Sequence, residues 1–94
     1  MERYWPGVSR ADLAAAEEHL LRAADELTRD GISIRIVSST WVPADEVVLT
    51  LVEASEQDDV LEVGRRSDYP LDRVQRVEVV TGASERWRGD QDGV

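Results

Sequence analysis

The chain uses one structural unit twice. Glu2-Arg3-Tyr4-Trp5 runs into a Pro6-Gly7 break, Ser9-Arg10-Ala11-Asp12 opens an amphipathic helix, and an apolar strand follows from residue 32. Residues 47–54 then read as a strand, Ser55-Glu56-Gln57-Asp58 opens a second helix, and residues 74–81 close with another strand. Two strand–helix–strand units in so short a chain predict the split βαβ plan. The expected fold is α+β: a ferredoxin-like βαββαβ sandwich, its antiparallel sheet carrying two helices on one face. Residues 1–82 hold this domain. Residues 83–94 are Gly, Ser, Arg, Asp and Gln with Trp87 and no apolar period, so a disordered tail is expected there. The first strand is short, because Met1 stands only a few residues before Pro6. Either that strand is stubby or it begins upstream of Met1.

Local signals support each element. Ser9 is a good N-cap, with Asp12 at the third helical position. Leu13, Ala16, Leu20, Ala24 and Leu27 make one apolar stripe, and Gly31 suits a left-handed helix end. In the strand at about 32–42, Ile32, Ile34 and Ile36 share a face. Unbroken alternation gives the other face to Arg35, Val37, Ser39 and Trp41. Pro43-Ala44-Asp45-Glu46 reads as a hairpin turn. The second helix, at about 56–66, has Ser55 as its expected cap, acids in its first turn and Arg65-Arg66 in its last, the signs the helix dipole favours. In the last strand Val77 and Val79 are expected inward, Arg76 and Glu78 outward.

Charge and composition exclude several classes of partner. The net charge is −9, from 20 acidic against 11 basic residues, so a nucleic-acid backbone or an anionic membrane surface would be repelled. No cysteine is present, which removes disulfides and thiolate metal sites. No apolar run approaches membrane-spanning length, and the N-terminus lacks the pattern of a signal peptide, so a cytoplasmic location is the expectation. Every basic residue is arginine, a bias typical of high-GC coding.

A ferredoxin-like sheet covers only one face with its own helices. The other face is expected to carry Arg35, Trp41, Arg76 and Glu78 among valines, with Tyr4 a neighbour. Such a mixture suits a homodimer packed through the open face, enclosing a pocket for a small apolar anionic molecule. His19 is the sole histidine, and its helical neighbours Ala15, Ala16, Arg22 and Ala23 offer no ligand. Nickel or another divalent metal would therefore bind there only weakly. Asp58, Asp59 and Glu62 form a second acidic group, read as helix-start acidity. No nucleophile–base pair and no glycine-rich phosphate loop is visible.

Three loop motifs carry a resemblance. Tyr4-Trp5-Pro6-Gly7, the hairpin segment Ser39-Thr40-Trp41-Val42-Pro43-Ala44-Asp45-Glu46, and Tyr69-Pro70-Leu71-Asp72-Arg73-Val74 resemble a small bacterial family labelled nickel-binding-like, DUF4242. The resemblance spans residues 2–81 and implies a ferredoxin-like dimer, with nickel bound by some members. It transfers no ligand residue to this chain. Three functional classes stay open: a small ligand- or metal-binding protein of that family, a cofactor-independent cyclase or isomerase with its pocket at the dimer, or a structural interaction module.

Overall fold

The computed structural model describes residues 1–78. It contains β1 (Glu2–Tyr4), α1 (Arg10–Arg29), β2 (Ile34–Val42), β3 (Val47–Ala54) and α2 (Gln57–Arg66), with a 3-10 turn at Pro43–Asp45 joining β2 to β3. The three strands form an antiparallel sheet in the order β1-β3-β2. The architecture is α+β.

α1 starts as its sequence demands. Ser9 accepts from the Asp12 amide while the Asp12 carboxylate accepts from the Ser9 amide, each at 3.1 Å, closing a reciprocal capping box. It ends at Asp30, and Gly31 then takes a φ of 93°, which a side chain would resist. Its stripe buries Leu20, Ala23, Ala24 and Leu27 against Ile34 of β2, Val63 of α2 and Tyr69. α2 differs from expectation at its start. Glu56, not Ser55, occupies the cap position, and no side chain caps it. Glu62 accepts from Arg65 and Arg66, and Arg66 also reaches Asp30 and Glu26 of α1 at 3.3 and 3.7 Å. These pairs clasp the two helices at one end.

The sheet breaks the alternation expected of β2. Ile36 pairs with Val52, but the next register pair is Ser38 with Leu51, so Val37 is an extra residue in a bulge. Beyond it, Ser39 lies opposite Thr50 and Trp41 opposite Val48. Thr50 and Val48 are buried on the helix side, with Ile34 and Ile36. Ser39 and Trp41 are therefore turned to the helix face. Val48 and Val52 belong to the helix face as well, so they are not among the valines of the open face.

A fourth strand was expected over residues 74–81. Residues 74–78 adopt no strand, and Val77, expected inward, is 55% exposed. Residues 79–81 and the tail expected at 83–94 lie outside the described residues. One antiparallel bridge joins Glu2 to Arg73, on the side of β1 away from β3. No helix among the described residues is long and apolar enough to cross a membrane.

Candidate functional site

The residues singled out from sequence divide between the two faces. Tyr4 pairs with Val47 on the open face, where its hydroxyl donates to Glu46 Oε1 at 3.3 Å. Arg35 is also on the open face, and its guanidinium meets the Glu53 carboxylate at 2.9 Å. Both partners of that pair are about two-thirds exposed, 65% and 67%. Arg76 and Glu78 are exposed in the segment after Arg73. Trp41 stands apart from all four, beneath α1. Arg35 and Trp41 therefore share no face, and the bulge at Val37 is the reason. His19 is exposed on α1. Among the described residues no three His, Asp or Glu side chains converge as a metal site.

The helix face instead gathers a polar cluster that runs from exposed Ser39 and half-buried Glu17 to buried Thr50. Ser39 Oγ donates to Glu17 Oε1 at 2.8 Å and lies 3.0 Å from Thr50 Oγ1. One hydroxyl thus ties α1, β2 and β3 together. Thr50 is buried, so a hydroxyl there needs such a partner. Tyr69 closes the far side. Its ring is buried and meets Trp5 edge-on at 6.3 Å between centroids. Burial pushes the Tyr69 phenol above its ordinary pKa, while Thr50 and the Arg3 guanidinium oppose that rise. Arg3 lies on the helix side of β1, its guanidinium carbon 3.4 Å from the Trp5 ring centre and 4.6 Å from that of Tyr69.

Glu17, Ser39 and Tyr69 border a cavity of about 280 Å³, lined also by Leu13, Ala16, Trp41 and Val48 among others. Trp41 Nε1 is buried and makes no hydrogen bond. A buried donor without an acceptor costs about 1–3 kcal/mol. Arg10 stands 5.9 Å from the Trp41 ring, at the outer edge of cation–π range. The cavity thus offers an apolar body, one unanswered N–H and one carboxylate, Glu17, held in place by Ser39.

Sequence reading missed Glu17, Tyr69 and Arg3. Glu17 sits in a run of helix charges, and Tyr69 precedes a proline that reads as a breaker. Strand parity from Glu2-Arg3-Tyr4 would have set Arg3 opposite Tyr4, and that was the available signal. No family model, no curated protein and no solved structure matches this chain.

Proposed function

We propose that the protein binds a small, largely apolar molecule in the helix-side cavity. The observation that carries this reading is the buried, unpartnered Nε1–H of Trp41 beside the Glu17–Ser39–Thr50 chain. A ligand oxygen would accept from that N–H and remove its desolvation cost. Glu17 disfavours an anion at close range, so a carbonyl or hydroxyl oxygen fits better than a carboxylate. About 280 Å³ is near the lower end of ligand pockets, which limits the guest to a small molecule.

The same proposal includes the wider frame. It takes the described strands and helices as most of the ferredoxin-like plan read from the sequence, and keeps the resemblance to the nickel-binding-like family as part of the reading. The open face carries exposed Tyr4, Val37 and Leu49, apolar surface that suits a second copy. A homodimer through that face leaves Arg35 and Arg76 at the junction, where they would meet a carboxylate of the partner copy. Light scattering tests this part, with twice the 10.5 kDa mass expected and a monomer at micromolar concentration against it.

A second reading rests on Glu17. It is the carboxylate lining the cavity among the described residues, so a reacting ligand would exchange its proton there. A cofactor-independent isomerase or cyclase follows from that reading. One experiment addresses both: a fragment library screened by tryptophan indole NMR, repeated on Glu17→Gln. Binding that survives the change with turnover lost indicates the enzyme. Binding unchanged with no turnover in either form indicates a carrier or sensor. No shift of the Trp41 indole with any fragment would refute the cavity reading.

A further inference from the structure

The hydrogen-bond directions around the helix-side cavity fix its polarity. Glu17, half-buried, is the charged residue that lines it. A carboxylate only accepts, so Ser39 spends its one hydroxyl proton on Glu17 Oε1, at 2.8 Å. The 3.0 Å contact between Ser39 and Thr50 then has Thr50 as its donor. Both hydroxyl protons point toward Glu17, and neither remains for a guest. Glu17 Oε2 is left without a protein donor among the described residues, and no arginine among them pairs with Glu17. The Trp41 indole is the opposite case, a donor without an acceptor. Trp41 stands two residues beyond Ser39 on the same face of β2, about 7 Å along the strand. The unmet acceptor and the unmet donor are therefore separated by about the length of a small molecule. Charge on a guest is opposed from both sides. Glu17 repels an anion. Arg10, 5.9 Å from the Trp41 ring, and Arg3, 4.6 Å from that of Tyr69, oppose a cation.

We propose that the cavity selects a neutral guest with two polar ends, a carbonyl oxygen that accepts from Trp41 Nε1–H and an N–H or O–H that donates to Glu17 Oε2. Secondary amides, lactams and hydroxy ketones make up that chemical class. The proposal rests on the reading of the cavity as a binding site and adds the donor end of the guest. A simple ketone answers the indole alone. An N-alkylated amide does worse, because it covers Glu17 Oε2 with a methyl group and leaves a desolvated carboxylate oxygen unpaired. A hydrogen bond to an ionised acceptor is the stronger of the two, so the donor end supplies most of the discrimination. The remaining lining, with Leu13, Ala16 and Val48, is apolar and receives the body of the guest.

The test uses the full chain, 15N-labelled, and three probes of similar size: δ-valerolactam, its N-methyl derivative and cyclohexanone. The Trp41→Phe variant identifies the Trp41 indole resonance among those of the three tryptophans. The lactam should shift that resonance and bind about tenfold more tightly than either of the other two. Glu17→Met keeps the length of the side chain and removes the acceptor. It should bring the three probes to equal affinity, chiefly by weakening the lactam. The comparison of probes on the unmodified chain stands whether or not that variant folds. Equal binding of all three probes to the unmodified chain would overturn the donor end and leave the cavity reading in place. A lactam preference that persists in folded Glu17→Met would overturn it as well. No shift of the Trp41 indole with any probe would overturn both.

Discussion

The two faces of the sheet handle polar groups in opposite ways. On the helix face, Ser39 joins Glu17 to Thr50 at 2.8 and 3.0 Å, and Thr50 is buried. On the open face, Arg35 and Glu53 form an equally short pair that stays mostly in water. Distance alone does not rank them. The buried Thr50 hydroxyl has no water to replace a lost partner, whereas the open-face ions do. The comparison places the candidate chemistry on the helix face, where a lost partner is costly and a new one is gained at full value.

The largest contrast lies in apolar truncation. Leu27→Ala empties a fully buried site on α1 and should cost about 2–5 kcal/mol. Leu49→Ala on the open face, at 43% exposure, should cost about 1 kcal/mol or less in a monomer. Urea unfolding of both variants measures the difference. A Leu49→Ala loss that grows with protein concentration would place that residue in a dimer interface.

The polar contrast is next in size. Ser39→Ala strands the Thr50 hydroxyl and frees Glu17, a loss of about 1–3 kcal/mol. Arg35→Ala should cost about 0–1 kcal/mol. Equal losses from the two variants would remove the distinction between the faces.

Smaller still is the titration of Glu62. Arg65 and Arg66 hold its carboxyl down at about 2. A depressed carboxyl contributes stability that is fully present above its ordinary value of about 4.5 and is lost as pH falls toward 2. Melts across that range should show the loss, and Glu62→Gln should flatten it. The pairs to Arg65 and Arg66 lie between the helices and the solvent, so this effect touches neither face of the sheet.

The smallest expected effect is the most telling about register. Deleting Val37 removes the bulge but keeps Ser39 and Trp41 on the helix face, because an unbroken strand then carries the same parity. Circular dichroism and the Trp41 indole resonance should both stay close to wild type. A collapsed fold would mean that the bulge itself is required.

What could be read from the sequence follows from which signals are local. The α1 cap is local chemistry, and Ser9 and Asp12 show it directly. β3 matched its expected span because residues 47–52 form a nearly continuous apolar run bounded on both sides by polar residues. β2 misled at one point. Val37-Ser38-Ser39 contains no glycine and no proline, so nothing marked the bulge, and one uncounted residue sent Trp41 to the wrong face. The Tyr69–Trp5–Arg3 cluster joins residues more than sixty positions apart, a contact that no periodicity encodes. The candidate site was thus half legible: Trp41 was chosen, but its surroundings were not.

The most direct test of the account is the set of proton contacts made by the Trp41 indole in solution. The helix-side reading predicts cross-relaxation from its ring to Leu13, Ala16 and Val48, together with a slowly exchanging Nε1–H that shifts when a small carbonyl or hydroxyl compound enters the cavity. Contacts from Trp41 to Arg35 or Leu49 instead, with an Nε1–H that exchanges freely with water, would put the indole on the open face and contradict it.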